Sequence, residues 1–433
     1  MPQGLDPHDL KLLLVIQREA FDYFRKHTHP ITGLVADKSK PGWPASVAAT
    51  GMGLACYPAA VERGFIERGA AVERVLAALR FLERSPQGPQ ADASGYKGFY
   101  YHFLDLETGR RAFESELSTV DSAFLLAGIL AAADYFDGEN SAEAELRRLA
   151  DALYRRVDWP WALNGQACLA HGWRPESGFL AAHWQGYDEA LLMVVLALGS
   201  PTHPLPAECY PAYMASAEWK NVYGYEHFFA GPLFIHQYSH MLLDVRGIQD
   251  AAIGRYGIDY FENSRRATLV QREYARRNPL EFEGYGENCW GLTACDGPGP
   301  ARLTIKNVER VFHEYVARGA PDGPDDGTIA PWATAASLPF APEVVLPAIR
   351  YFSDIKLHEP EPYGYKNSFN RTMPVEPPGP LGWVSPYHFG INMAPMALMI
   401  ENYLSGLPWA VSRRSPYLAA GLRRAGFRGG WLE

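Results

Sequence analysis

Residues 118–133 read STVDSAFLLAGILAAA, and after Asp121 no charged side chain appears. A helix of this kind has no polar face and must be buried on every side. Two other segments share the character: SVAATGMGLACYPAAV at 46–61, and EALLMVVLALG from Glu189 onward. Between them lie helices of a different kind. In RGAAVERVLAALRFLERS, Val72, Val75, Leu76, Leu79 and Leu82 form one apolar stripe opposite Arg and Glu. In NSAEAELRRLADALYRRVDW, Asn140 and Glu143 resemble a capping pair, and Leu146, Leu149 and Leu153 make the stripe.

The order is apolar (46–61), amphipathic (70–84), apolar (118–133), amphipathic (141–157), apolar (187–198). Further helices are expected at 234–250, 258–277, 342–354, 391–405 and 415–425. A buried helix alternating with a half-exposed one predicts two concentric helical layers, an all-α toroid. No break in composition marks a second domain, so residues 1–433 are read as one unit. At the start, Asp6 and Pro7 look like an N-cap followed by proline at the first helical position. The apolar patch behind them lacks a basic leader and a small-residue cleavage site, so it reads as a folded helix and not as a signal peptide. Cytoplasm or periplasm is the expected compartment.

The net charge of −9 comes without a basic run, which argues against nucleic acid and anionic membrane as partners. No apolar run approaches the ~20 residues that span a bilayer. Five scattered cysteines without a CxxC predict buried free thiols.

The loops are long and aromatic: GYKGFYYHFLDLETGRRAFESE (95–116), HGWRPESGFLAAHWQGY (171–187), EGYGENCWGLTACDGPGP (283–300) and PEPYGYKNSFNRTMPVEPPGPLGWVSPYHFG (360–390). The first alternates like a strand pair around a turn at Glu107–Arg110. Sugar sites combine carboxylates, which move protons, with flat rings that cover the apolar faces of a sugar. Here Glu189 follows Trp184 and Tyr187, Glu287 lies between Tyr285 and Trp290, and Glu116 and Asp121 follow the strand that holds Tyr101. Acids also collect at helix N-termini because the macrodipole favours them there. The recurrence of aromatic loops beside these acids favours a glycan site. It would comprise Glu189, Glu287, Asp121 and Glu116, with Trp184, Tyr187, Tyr101, Trp290, Asn367, His236, His240 and Trp383 contacting substrate.

HQYSH places His236 and His240 four apart, as in some zinc sites, with Asp244 a turn further on. Gln237 stands where a zincin carries its general base, so the histidines are read as cleft-lining and neither metal nor cofactor is expected. GMGLAC and GYGENC start like dinucleotide loops but lack the last glycine and a βαβ setting.

Taken together, FDYFRKHTHPITGLVADKS, SVAATGMGLACYPAAVERG, GFYYHFLDLETGRRAFESELSTVDSAFLLAG, HWQGYDEALLMVVLALGSPTHP, GPLFIHQYSHMLLDVRGIQD, GYGENCWGLTACDGP and GLRRAGFRGGWLE resemble the bacterial glycoamylase-like family, which includes endo-β-1,2-glucanases. The resemblance spans nearly the whole chain. It implies an (α/α)6 barrel, a β-1,2-linked glucan or oligosaccharide as substrate with other β-glucosides second, and Glu189 as proton donor. Glu116 and Asp121 would hold substrate hydroxyls or a water. The chain departs from the family at one loop, where an aspartate of the pattern YGFYDAFN becomes Asn367 in YGYKNSFN. Downstream, Asn392 and Met393 replace an Asp-Gln pair. An amide cannot deprotonate water. The expected activities are therefore a glycoside-active enzyme with another partner carboxylate, Glu287 first and Asp121 second, or a retaining transglycosylase. The alternative is a glycan-binding protein that has lost catalysis.

Overall fold

The structure is a computed structural model in which residues 2, 4–357 and 362–433 are described. The first two residues of the last aromatic loop, Pro360 and Glu361, lie outside them. Helices dominate in chain order: α1 (Pro7–His27), α2 (Val47–Glu62), α3 (Arg68–Arg84), α4 (Thr119–Tyr135), α5 (Ser141–Arg155), α6 (Leu191–Gly199), α7 (Cys209–Met214), α8 (Ala251–Gly254), α9 (Tyr260–Arg277), α10 (Pro331–Ala336), α11 (Pro342–Asp354), α12 (Gly390–Leu404), α13 (Leu407–Ser412) and α14 (Pro416–Arg424). None is long and apolar enough to cross a membrane. The chain groups into two discontinuous compact units. One holds residues 1–22, 218–238 and 261–405; the other holds 23–217, 239–260 and 406–433.

In the second of these units the expected alternation holds. Helices α4 and α6 are buried nearly throughout, whereas α3 and α5 bury only a leucine-rich stripe. Capping follows the sequence: Asn140 accepts the Glu143 amide hydrogen at 3.0 Å, and its own side-chain amide donates to Glu143 at 3.1 Å. Helices α2 and α4 meet backbone to backbone. A Cβ on Gly128 would lie 1.7 Å from the Gly51 carbonyl oxygen, and one on Gly51 would lie 2.2 Å from the Leu125 Cα. Gly69, in α3, has nothing within 4 Å. Gly128→Ala is therefore expected to destabilise by about 3 kcal/mol through overpacking. Gly69→Ala is expected to be neutral or stabilising by a few tenths of a kcal/mol. Thermal melts of the two variants separate the cases.

The same unit carries a five-stranded antiparallel sheet of short strands. In order these are β2 (Gly95–Tyr96), β3 (Phe99–Tyr101), β5 (Leu117–Ser118), β6 (Gly172–Arg174) and β7 (Gly178–Phe179). Strand β4 (Phe103–Leu104) pairs instead with β1 (Ala45–Ser46). The expected strand pair about Glu107–Arg110 forms as β3 with β5, Tyr100 facing Ser118 and Tyr101 facing Leu117, with a bridge from Leu104 to Arg111 nearer the turn.

The other unit packs α10 on α12 and carries a hairpin, Ala301–Ile305 with Val308–Phe312. Its loops are fixed by polar contacts. Arg318 and Asp326, both wholly buried, pair at 2.7 Å, and Asp325 accepts hydrogen bonds from Tyr274 and Tyr285 at 2.8 and 2.6 Å.

The helix expected over 234–250 does not form. A 3-10 turn at Leu233–His236 leads into irregular backbone, with α8 only at 251. Residues 236–245 are all buried, so their apolar side chains mark no particular face. Their polar groups are held from outside the segment. Gln237 donates to the Ala333 carbonyl and Ser337, and Asp244 is clasped by Arg246 and Arg413. Those partners hold the backbone off the helical path.

All five cysteines are free. Burial pushes the Cys56 thiol far up, and those of Cys289 and Cys295 to about 12 and 11.

Candidate active site

Helix α6 begins at Leu191, so Asp188 and Glu189 stand in the turn just before it. The two acids have different surroundings. Asp188 accepts hydrogen bonds from the Ala190 amide and the Tyr213 hydroxyl, both at 2.9 Å. Ser239 pins the turn: its hydroxyl donates to the Glu189 carbonyl at 2.9 Å and accepts the Leu192 amide hydrogen at 3.0 Å. Among the described residues no side chain hydrogen-bonds the Glu189 carboxyl. Burial, reinforced by the neighbouring charges of Asp188 and Asp121, raises its pKa to about 8. A helix N-terminus favours a carboxylate, but here desolvation is the larger effect. Glu189 keeps part of its surface, so it is a neutral acid that a ligand can reach.

Asp121 lies in the first turn of α4. Its amide donates to the N-cap Ser118 hydroxyl, and the hydroxyl donates back to its carboxylate. Beside it, His102 Nδ1 lies 2.9 Å from Glu116 Oε1 and 3.7 Å from Asp121 Oδ2. Burial works against a charge on His102, yet Asp121 and Glu116 outweigh it and lift the imidazole to about 9. Burial likewise opposes the charge on Glu116, but the hydrogen bond from His102 holds its carboxyl below the usual value. Asp37 completes the group. Burial raises it to about 6, and the Trp43 indole donates to it at 3.1 Å. The His102 imidazole thus sits among three acidic side chains, each of which favours its charged form.

Trp184 is half-buried, donates to Thr119 at 3.0 Å and stacks on His171 at 3.8 Å. Tyr187 is buried; its hydroxyl lies 3.2 Å from His240 Nε2 and its ring stacks on Tyr260. Burial drops His240 to about 3, so its imidazole is neutral. In the other unit, His236 is buried with Nε2 3.1 Å from the Ala230 carbonyl. Because the segment is not helical, the two histidines do not share a helical face. Among the described residues no group of three or more His, Cys, Asp or Glu is arranged to hold a metal.

Asn367 is wholly buried. Its Oδ1 accepts the Asp296 amide hydrogen at 2.8 Å, and its Nδ2 has no hydrogen-bond partner among the described residues. Asp296 is only partly buried, with its carboxylate 3.1 Å from the Ser385 hydroxyl. Asn392 opens α12 and accepts from Tyr238 at 3.4 Å; Met393 is fully buried. Trp383 keeps part of its surface.

Three expectations need correction. The rings of Tyr101 and Trp290 are 0% exposed, so no face is open to a sugar and both act as packing. The Glu287 side chain is 61% exposed and paired with Arg272. A solvated carboxylate already matched by a guanidinium is an ordinary surface ion pair.

The Glycoamylase family model, described as “Putative glucoamylase”, matches residues 181–416. The chain belongs to this family. Across its full length the family member is 32% identical to a Bacteroides uniformis protein of solved structure that carries the same description, with a TM-score of 0.86 and 100% of both chains covered. It is 28% identical to an endo-beta-1,2-glucanase from Chitinophaga pinensis, solved with sophorotriose and glucose, with a TM-score of 0.83 over 99% of this chain and 100% of that one. A curated relative, the exo beta-1,2-glucooligosaccharide sophorohydrolase (non-reducing end) of Parabacteroides distasonis, is 30% identical over 452 residues. That match covers 96% of this family member but only 58% of the relative's length.

Sequence reasoning missed His102, Asp37 and Asp296. His102 hides in YYHF as one polar residue of a strand, and Asp37 in VADKS follows apolar neighbours. His102 meets Glu116 across a strand pairing and Asp37 meets Trp43 across a turn, spacings that match no recognised motif. Asp296 was legible in principle: it sits in the ACDGP end of an aromatic loop already singled out.

Proposed function

We propose that this protein is a glycoside-active enzyme on β-1,2-linked glucans or their oligosaccharides, a single (α/α)6-barrel catalytic domain over residues 1–433 with Glu189 as proton donor. The observation that carries the reading is the Glu189 carboxyl, raised to about 8 and free of hydrogen-bonding side chains, beside the His102, Glu116 and Asp121 group. A carboxylic acid that stays protonated near neutral pH can protonate a glycosidic oxygen. Family membership and the named activities of the relatives support β-1,2-glucan as the substrate class.

Asp121 replaces Glu287 as the favoured partner carboxylate. Its charge contributes to the raised Glu189 pKa, and its carboxylate lies 3.7 Å from His102 Nδ1. With Asn367 unable to serve as a base, the reaction we favour passes through a covalent glycosyl-Asp121 ester and retains the anomeric configuration. Water or a second sugar then accepts the glycosyl unit, giving hydrolysis or transglycosylation. A glycan-binding protein without catalysis is the second reading, favoured only by Asn367. Incubation with a panel of β-1,2-, β-1,3- and β-1,4-glucans, with products followed by chromatography, tests the proposal. Preferential conversion of the β-1,2 polymer or its oligosaccharides is expected; activity confined to another linkage would overturn the substrate class.

A further inference from the structure

Beyond the carboxylate group lies an aromatic feature that the proposed chemistry does not use. Phe113 is 60% exposed, an unusual setting for a phenyl ring. It and Glu114 both hold left-handed backbone, with φ of 56° and 48°. Two consecutive non-glycine residues in that region persist only when their surroundings impose it. Arg111 imposes it here. Its guanidinium donates to the Ser115 carbonyl at 2.6 Å and to the Glu114 carbonyl at 2.7 Å, and it also pairs with Glu176 and lies over the Tyr101 ring. The turn is built to hold an apolar ring out in water.

The ring is not isolated. Phe113 meets Trp43 at 5.2 Å and Phe103 at 5.8 Å between centroids. Phe103 stacks on His102 at 4.1 Å, nearly parallel, and His102 contacts Glu116. Trp43 donates to Asp37 of the same carboxylate group. Rings therefore run without a gap from solvent to the carboxylates. The Trp43 ring carries the ammonium groups of Lys38 and Lys40 at 4.1 and 4.4 Å, which leaves Phe113 as the open platform.

We propose that Phe113, backed by Trp43 and Phe103, is an outlying glycan subsite that stacks on a glucosyl unit away from the bond being broken. The alternating polar rims and apolar faces of a β-glucan match such a track, because a ring covers the sugar's C–H face while its hydroxyls stay in water. The inference rests on the glucan reading above. It adds a chain-length preference: longer sugars place more units within reach of Phe113 than a disaccharide does.

The test is calorimetric titration of Glu189→Gln protein with a β-1,2-linked oligosaccharide of several glucose units and with the β-1,2-linked disaccharide. Adding Phe113→Ala is expected to weaken binding of the longer sugar about tenfold and to affect the disaccharide far less. Phe113→Tyr should restore binding, and the melting temperature should not move, since the ring is mostly exposed. Equal weakening for both sugars, or none for the longer one, would overturn the subsite. Failure of the Glu189→Gln protein itself to bind either sugar would overturn the substrate reading and the subsite with it.

Discussion

Glu189→Gln is expected to lose about 10²–10⁴-fold in turnover of β-1,2-glucan. The loss should be much smaller on an aryl glucoside, whose leaving group departs without a proton. The same group sets a pH limit. Its pKa is raised to about 8 from an ordinary 4.5, and in the proposed mechanism the protonated form is the active one. Activity should be sustained below pH 8 and fall as pH rises through that value; the variant should lack this limb. Stability follows the same sign. A carboxyl whose pKa is raised on folding favours the native state most below 4.5, and this contribution fades as pH climbs to 8. Glu189→Gln should therefore flatten the loss of stability across that window, as measured by denaturant melts at several pH values. Near-normal turnover of the polymer by the variant would remove Glu189 from the mechanism.

The second large effect concerns Asp121. Asp121→Asn keeps the shape and the cap to Ser118 but removes the proposed nucleophile, so turnover should fall by about 10²–10⁴-fold. Glu287→Gln, which alters a solvated ion pair, should change it by no more than about twofold. NMR of the newly formed anomer decides the stereochemistry, with retention expected. Asn367→Asp restores the ionisable group of the family pattern and is expected to open an inverting hydrolytic route. Brisk inverting hydrolysis by the unaltered protein would exclude Asp121 as nucleophile and point to a base such as Asp296, the carboxylate beside Asn367.

The helical layout was legible because burial leaves a period in the sequence. Segments 118–133 and 141–157 differ in whether one face is charged, and α4 and α5 appear within two residues of those limits. The stretch 234–250 misled because its backbone is held by polar partners distant in sequence, Gln237 by Ala333 and Ser337 and Asp244 by Arg413, which leave no local pattern. The buried setting of Glu189 was legible from its place between an aromatic loop and an apolar run. Its partners were not. Asp37 comes from the connection before α2, and His102 meets Glu116 and Asp121 across the β3–β5 pairing, so no short local pattern records the meeting. Ring exposure was equally hidden, since Trp184 and Trp290 look alike in sequence, yet one keeps an open surface and the other is sealed.

The buried thiols have a practical consequence. A cysteine reacts as its thiolate, so a sealed group with a raised pKa is inert until the surrounding structure opens. Cys56 lies in the unit holding α2, while Cys289 and Cys295 lie in the unit holding the hairpin. The chain therefore carries its own reporters of breathing. The rate at which each thiol is alkylated in dilute denaturant, read by mass spectrometry, would give separate opening free energies for the two units without adding any probe.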